Sequence, residues 1–230
     1  MATLTWLGHA AFRIDTDGGK RIYVDPFLQS NPKTPDSEKL PERVDIIAVT
    51  HGHSDHAGEV PSLSKSFPDA QIVAQVEVKG WLGKQGANVG ELPGLNKGGT
   101  QEIDGVRFTL TDASHSSSSD DGEYLGESSG FVIRFDGKSI YFAGDTCVFG
   151  DMELIGRIYS PDVAVLPIGG HFTMDPREAG VALELLGTKR CIPCHYGTFP
   201  LLKGTPAELE QQAPQGVEIL AMEPGETITV

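Results

Sequence analysis

Short apolar runs separated by turn-forming residues begin the chain. Thr3–Trp6, Ala11–Asp15 and Lys20–Val24 are runs of this kind and are predicted to be strands. The TDGG turn at Thr16–Gly19 indicates a hairpin between the last two of them. Ile46–Val49 is a continuous apolar run with Val44 just upstream, which predicts a buried strand at Val44–Val49.

The pattern then changes to helices that alternate with a strand. Glu59–Ser66 and Val76–Leu82 are predicted to be short helices, the second ending at Gly83, on either side of a buried strand at Ile72–Ala74. Gln85–Gly99 is rich in Gly and Asn and is predicted to be a loop. A brief strand is expected within it, at Asn88–Glu91.

The hairpin pattern begins again at Thr100, where two Asp-Gly turns each join a pair of strands. The polar stretch Ser114–Ser129 lies between these hairpins, and a loop of 16 residues with a histidine at its start is typical of a functional lid. Pro176–Leu186 is a helix with Asp175 as N-cap and Gly187 as C-cap. The other predicted strands are Gln101–Ile103, Val106–Thr111, Phe131–Phe135, Ser139–Phe142, Val163–Leu166, Cys191–Pro193, Glu218–Ala221 and Thr227–Val230, and the other helices are Asp151–Tyr159 and Thr205–Gln212.

This layout repeats along the chain. Each half has hairpins first and strand–helix alternation afterwards, and no linker or change in composition separates the halves. We therefore expect a single domain built of two similar halves, about 1–99 and 100–230. Two mixed sheets packed face to face with helices outside, a four-layer αββα sandwich, would bury such strands.

Composition and charge exclude several classes of partner. The 230 residues include 18 basic and 32 acidic side chains, a net charge of −14, so we expect no binding to nucleic acid or to anionic membranes. A local basic pocket for a small phosphate stays compatible with this balance. The N-terminal MATLTWLGHA lacks the features of a signal peptide, and three cysteines are an odd number. We therefore expect a cytoplasmic protein.

The stretch THGHSDHAGE, residues 50–59, carries the strongest chemical signal. Gly52 allows a sharp bend after the strand Val44–Val49. Imidazoles and a carboxylate at the carboxyl end of a strand are typical of a metal site, with a histidine-rich polar loop as the alternative. Nitrogen and oxygen ligands suit Zn, Mn, Fe or Ni, and the absence of thiolate disfavours a Cys-rich zinc clip. The four side chains fall within six positions: His51, His53, Asp55 and His56.

The remaining histidines are also predicted to lie in loops or turns at strand ends. Two single carboxylates, Asp25 and Asp145, occupy equivalent turns. An aspartate after a strand is usually a cap or turn residue, but beside a histidine-rich site a role at the metal is favoured. The histidines outside the cluster are His9, His115, His171 and His195.

In order and spacing, these motifs resemble the metallo-β-lactamase superfamily. The resemblance rests on HxHxDH at 51–56, the single His115, GDT at 144–146 and His195, and runs from the first strand to the last helix. WLGHA at 6–10, VDPF at 24–27, PIGGHF at 167–172 and HYGTFP at 195–200 resemble the small metal-dependent hydrolases that are similar to bacterial L-ascorbate-6-phosphate lactonase. The resemblance implies the metallo-β-lactamase fold and an enzyme.

The resemblance also implies two divalent metal ions, with Zn or Mn expected first and Fe or Ni also compatible. Asp145 would bridge them, and Asp25 would orient a ligand imidazole through its free N–H. The implied ligands are His51, His53 and His115 for the first ion and Asp55, His56 and His195 for the second.

Two ions about 3.5–4 Å apart can share a water and lower its pKa towards 7, which supplies a hydroxide nucleophile without Ser or Cys. They also polarise a carbonyl or phosphoryl oxygen. Asp55 or Asp145 would then pass a proton to the leaving group. We therefore predict a metal-dependent hydrolase acting on a small ester, lactone or phosphoester, and an anionic or phosphorylated substrate is compatible with this chemistry.

His9 and His171 match no metal position of the superfamily. We interpret both as catalytic pocket residues that bind a substrate anion or stabilise an oxyanion, with hydrogen-bonded loop histidines as the alternative. Tyr196 and Thr198 are further pocket candidates. Cys147, beside Asp145, is interpreted as a core residue.

Three other functions remain open. A nuclease or phosphodiesterase of the same superfamily is disfavoured by the net charge, and a secreted β-lactamase by the missing leader. A silent metal- or ligand-binding sensor is disfavoured by the complete set of candidate ligands. Cys191, Cys194 and His195 also form C-x-x-C-H, the haem c attachment pattern, but a buried strand there would point the two thiols to opposite faces. Self-association into a homo-oligomer is expected from the resemblance.

Overall fold

The computed structural model describes residues 1–230 as thirteen strands and six helices. A single 3₁₀ turn lies at Asp36–Glu38. The strands are β1 Thr3–Trp6, β2 Phe12–Asp15, β3 Arg21–Val24, β4 Ile46–Val49, β5 Gln71–Ala74, β6 Thr100–Ile103, β7 Val106–Asp112, β8 Ser129–Phe135, β9 Lys138–Phe142, β10 Val163–Pro167, β11 Arg190–Cys194, β12 Glu218–Ile219 and β13 Thr227–Thr229. The helices are α1 Ser54–Ala57, α2 Val60–Ser66, α3 Val76–Lys84, α4 Met152–Tyr159, α5 Pro176–Leu186 and α6 Pro206–Gln212.

The strands form two mixed sheets. The first has the order β13-β1-β2-β3-β4-β5 and the second β12-β11-β10-β9-β8-β7-β6. In both sheets the hairpin strands pair antiparallel and the strands that alternate with helices pair parallel. The last strand, β13, crosses over to pair with β1 in the first sheet. We interpret this shared order as two similar halves in one domain, which stays a prediction.

Three apolar clusters hold these layers together. The largest lies between the sheets, where Phe12 of β2 meets Phe142 of β9 with ring centroids 5.6 Å apart. A second cluster packs α2 and α3 against the outer face of the first sheet, and a third packs α4, α5 and α6 against the second. Each buried strand residue removes apolar surface from water, and this burial stabilises the fold by about 25 cal/mol per Å². The predicted αββα fold is confirmed.

The helix caps and the hairpin turn predicted from the sequence are present in the structure. Asp175 Oδ1 accepts a 2.8 Å hydrogen bond from the Glu178 N–H at the start of α5, and Gly187 ends that helix at φ 65°. The Asp104-Gly105 turn has positive φ at both residues, which is the twist that a two-residue hairpin requires. α5, the longest helix, has 11 residues, and no helix is long and apolar enough to cross a membrane.

Several element predictions were wrong. Asn88–Glu91 forms no strand, and the only pairing in that loop is an isolated bridge between Leu95 and Gln75. α3 continues through Gly83 to Lys84, because one glycine inside a helix costs only about 1 kcal/mol relative to alanine. β12 is also shorter than predicted, since it ends at Ile219.

The cysteines occupy two kinds of environment. Cys191 packs under the helices and Cys194 lies between the sheets, so the two thiols point to opposite faces of β11 and burial raises the pKa of both. Cys147 is exposed, so its interpretation as a core residue was wrong. It belongs to the loop that leaves β9, where its N–H donates to the Ser114 carbonyl at 3.2 Å and its side chain faces outwards.

Candidate metal centre

The candidate ligands meet where the strands of both sheets end. His51 and His53 follow β4, His115 follows β7 and His195 follows β11. The expectation that all the histidines lie in loops was wrong for His56, which lies with Asp55 on the one-turn helix α1. That turn forms because the His53 carbonyl accepts the Ala57 N–H at 2.8 Å, and it directs both side chains towards the strand ends.

Three overlapping groups of donor atoms result, and within each group all atoms lie within 4.8 Å of one another. The first matches the triad that the resemblance implied. The third contains the other implied set and adds a histidine that the sequence analysis placed elsewhere. The groups are His51, His53 and His115; His51, His56 and Asp145; and His9, Asp55, His56 and His195.

Asp145 lies between these groups. Its Oδ2 is 3.1 Å from His195 Nε2, 3.4 Å from His56 Nε2 and 3.7 Å from His115 Nε2. Ligands about 2.05 Å from a tetrahedral ion are about 3.3 Å from one another, so this spacing is that of a coordination shell. The position of Asp145 is compatible with one carboxylate shared by two ions.

Several atoms of this cluster are buried without a hydrogen-bond partner. His56 Nε2, His195 Nε2 and Asp145 Oδ1 are among them. A buried polar atom left unpaired costs about 1–3 kcal/mol, so a native protein rarely keeps several together. A divalent cation would satisfy all of them, and nitrogen and carboxylate donors fit Zn, Mn, Fe or Ni. The residues therefore fit the implied metal.

One buried carboxylate, Asp25, orients two of these imidazoles. Its Oδ2 accepts from His56 Nδ1 at 2.8 Å and from the Thr50 hydroxyl at 2.7 Å, while Oδ1 accepts from the Thr50 N–H at 2.8 Å. The Thr50 oxygen is also 3.0 Å from His51 Nδ1 and can accept its proton. Both histidines thereby keep Nε2 free for a ligand.

His9 is buried behind Asp55 rather than exposed in a pocket. Its Nε2 is 2.9 Å from Asp55 Oδ2 and its Nδ1 is 3.1 Å from the Thr198 hydroxyl. The carboxylate can only accept, so Nε2 carries the proton and Nδ1 accepts from Thr198. His9 has no exposed surface, which favours the alternative of a hydrogen-bonded loop histidine, and its assignment to the substrate pocket stays a prediction.

Burial and mutual charge set the protonation of the cluster. Burial lowers the pKa of His51, His53 and His115, which keeps these imidazoles neutral and ready to bind a cation. Burial opposes charge on His56 as well, but neighbouring carboxylates, led by Asp145, outweigh it and raise its pKa.

The pKa values of the two carboxylates in the cluster are lowered, in contrast to that of His56. Burial would raise the pKa of Asp145, but His195 and His56 outweigh it and hold that pKa well below its usual range. Burial likewise opposes ionisation of Asp55, but His56 and the hydrogen bond from His9 lower its pKa. Both aspartates are therefore ionised, as metal ligands must be.

Three turn residues hold these side chains in a left-handed backbone conformation. His9, Asp25 and His195 have φ of 56°, 47° and 55°, each just after a strand or between two strands. Such a conformation costs about 1–2 kcal/mol for a residue with a side chain, and it occurs preferentially at functional sites. The backbone carbonyl of His9 accepts from the His195 N–H at 2.9 Å, which joins two of these turns.

The polar loop Ser114–Ser129 borders the cluster and is anchored to it. Leu125 is buried against Gly52, where any Cβ would overlap with it, so close packing requires this glycine rather than a sharp bend with positive φ. The Gly52 N–H donates to Ser117 Oγ at 3.1 Å, and Ser116 Oγ is 3.3 Å from His53 Nε2. The loop thus forms one wall of the site.

Comparison with known proteins agrees with this geometry. The family model described as "Beta-lactamase superfamily domain" matches residues 20–196. The chain belongs to the metallo-β-lactamase superfamily. A UPF0173 metal-dependent hydrolase of Herpetosiphon aurantiacus is 47% identical over 99% of this chain and 97% of its own length. One from Methanosarcina mazei is 42% identical over 98% and 97%. Igni18, a metallo hydrolase of Ignicoccus hospitalis, is 35% identical with a TM-score of 0.85, over 99% and 97%.

Membership in the metallo-β-lactamase superfamily leaves the narrower resemblance to L-ascorbate-6-phosphate lactonase as a hypothesis. Two of its pocket candidates belong to none of the donor groups. His171 is exposed in a neighbouring cleft with His115 and Cys147. Tyr196 stacks on Trp6 at 5.1 Å between ring centroids.

Sequence reasoning missed other residues at this metallo-β-lactamase centre. Thr50 precedes the histidine motif, and its hydroxyl joins Asp25 to His51. Phe27, Phe172 and Phe199 line clefts beside the donors. Each of these phenylalanines belongs to one of the motifs VDPF, PIGGHF and HYGTFP, so the available signal was the aromatic residue near the end of each motif.

Proposed function

We propose that this protein is a metal-dependent hydrolase that holds two divalent ions and cleaves a small ester, lactone or phosphoester. The observation that carries the proposal is the set of buried, unpaired donor atoms on His56, His195 and Asp145, at the meeting point of the donor groups. The names of the relatives support a metal-dependent hydrolase. When bound, the ions would lower the pKa of a shared water and polarise the substrate oxygen.

The chain's own residues hold these groups and move protons. His51, His53 and His115 would bind one ion and Asp55, His56 and His195 the other, with Asp145 shared. Asp25 fixes the direction of two imidazoles through its contacts to His56 and Thr50.

Asp55 is the better candidate for proton transfer to the leaving group. Its side chain is 30% exposed and lines two clefts, whereas that of Asp145 is 4% exposed and enclosed by imidazoles. Because the pKa of Asp55 is low, it would accept a proton before it donates one. His9 acts as a positioning residue, since its bond to Asp55 fixes the carboxylate and Thr198 fixes the ring.

The test combines metal analysis with a screen of uncharged and phosphorylated esters and lactones in Mn²⁺ and Zn²⁺. We expect close to two ions per chain, and we expect His51→Ala to abolish hydrolysis and to reduce bound metal to about one ion per chain. His171→Ala is the matched control for metal content, because His171 lies outside all donor groups. Unchanged metal content and hydrolysis in His51→Ala would overturn the proposal.

A further inference from the structure

The openings beside the donor groups contain no cationic side chain. One cleft of about 530 Å³ reaches the donors themselves, and one of about 570 Å³ adjoins it. The two share Ser54, Asp55 and Asp120. Neither lining includes a lysine or an arginine. The first is lined by His53, Ser54, Asp55, His115, Ser116, Asp120, Asp145, Phe172 and His195.

Beyond the donors, the charges of this opening are negative. Asp120, on the polar loop, has no hydrogen bond or ion pair from its side chain, so its charge faces the two clefts uncompensated. Glu59 lines the second cleft and accepts only from the neutral backbone N–H groups of Leu28, Gln29 and Ser30, at 3.1, 2.9 and 2.8 Å. A narrow cleft with charges of one sign repels ligands of the same sign.

Aromatic side chains line both clefts, Phe172 the first and Phe199 with Phe27 the second. Phe199 is 37% exposed and Phe172 is 52% exposed, and Phe27 completes the wall beside Phe199. Exposed aromatic residues beside a polar site are typical of pockets that bind the apolar part of a ligand.

We infer that the centre takes uncharged or cationic substrates with an apolar or aromatic group, and that Asp120 excludes substrates with a carboxylate or phosphate away from the reacting bond. The inference rests on the proposed function and names its substrate class. An anionic group at the reacting bond would face the ions, whose positive charge attracts it. A second anionic group, farther along the substrate, would find no lysine or arginine in these clefts to pair with. The uncharged group would lie along Phe172 or Phe199, with Asp120 opposite any positive charge.

The experiment uses three probes that share one metal-binding head group. Benzohydroxamic acid and its 4-carboxy and 4-trimethylammonio derivatives are titrated calorimetrically into the metal-loaded protein and into the metal-free protein. We expect the carboxylate to bind about tenfold more weakly than the uncharged probe, and the cation at least as tightly, at low salt. Binding should require the metal.

Two variants assign the selectivity to Asp120. Asp120→Asn should reduce the penalty on the carboxylate at least threefold. Asp121→Asn is the matched control, since Asp121 is a neighbour on the same loop with the same charge but lines neither cleft and is paired with Ser119. It should leave the penalty unchanged.

The outcomes separate the inference from the proposed function. Equal binding of the three probes, no binding of the uncharged one, or the same effect from both variants would overturn the inference. Charge-selective binding without hydrolysis of any screened ester would overturn only the proposed function. Equal rates of hydrolysis for anionic, uncharged and cationic substrates would overturn only the inference.

Discussion

Replacing Asp25 by asparagine tests how the donor imidazoles are oriented. The native carboxylate accepts three hydrogen bonds, from His56 Nδ1, the Thr50 hydroxyl and the Thr50 N–H, at 2.7–2.8 Å. Asparagine has the same shape and tolerates the φ of 47°, so backbone strain does not enter the comparison. It has one acceptor oxygen in place of two.

Either orientation of the new amide leaves a conflict. With its oxygen towards His56, the NH₂ group faces the Thr50 N–H, and one buried donor loses its partner. With the amide reversed, His56 must move its proton from Nδ1 to Nε2, the atom required for a metal. Hydrogen bonds to charged groups contribute about 1.5–3 kcal/mol each. Losing one and weakening the others should reduce the free energy of unfolding by about 2–4 kcal/mol.

Metal affinity should fall 10- to 100-fold, the usual effect of removing a partner behind a ligand. Competition with a chromophoric chelator measures the affinity, and urea unfolding of metal-free protein measures the stability. Asp45→Asn is the matched control, because Asp45 also accepts a backbone N–H, that of Arg21 at 2.7 Å, but lies outside the donor groups. A change in affinity below twofold for Asp25→Asn would refute the reasoning.

Four more variants test the neighbouring contacts. Gly52→Ala should push Leu125 and its loop outwards and cost about 1–3 kcal/mol of stability in thermal unfolding, and an unchanged Tm would contradict this packing. His115→Ala and His195→Ala should each retain about one ion by elemental analysis, whereas loss of none or of both would contradict two separate donor groups. Burial, followed by repulsion from His195, lowers the pKa of His9 to about 4, so metal-free protein should lose stability as pH falls from 6.5 towards 4, by on the order of 3 kcal/mol. His9→Asn, which tolerates the positive φ, should flatten that decline in denaturant unfolding, and an equally steep decline would exclude His9 as its source.

Much of the fold follows from local signals in the chain. Asp104-Gly105 and Asp136-Gly137 required positive φ at both positions, and hairpins formed at both. The helix Pro176–Leu186 begins and ends where its caps predict. Asn88–Glu91 was mispredicted because a short segment becomes a strand only where a neighbouring strand offers an edge, and the edge strand β5 pairs with this loop only through the isolated bridge between Gln75 and Leu95.

The cluster was located correctly from strand ends, but the directions of individual side chains do not follow from the sequence. His9 was assigned to the pocket because the sequence shows that it lies in a turn and does not show its φ or its partner. That partner, Asp55, is 46 residues away, and Thr198 is 189 residues away. Asp120 was missed for a similar reason, since the path of its loop depends on the packing of Leu125 against Gly52.

Backbone strain and unpaired buried polar atoms occur together at the donor cluster, and this bears on the function of the cluster. His9, Asp25 and His195 each have a left-handed backbone that costs about 1–2 kcal/mol. Buried candidate ligand atoms without hydrogen-bond partners, among them His56 Nε2 and Asp145 Oδ1, each cost about 1–3 kcal/mol. Elsewhere the positive-φ residues Asp104, Asp136 and Ser160 lie in turns or at a helix end, where that conformation is expected. Four other buried polar atoms without partners lie outside the cluster, on Gln75, Thr111, Ser139 and Tyr141. The combination of strained turns with several unpaired ligand atoms occurs at the cluster, where a cation would offset both costs. Without a cation, each ligand residue would be better replaced by an apolar residue or paired with another polar group. The unfavourable terms are therefore themselves an argument for a metal in the working protein.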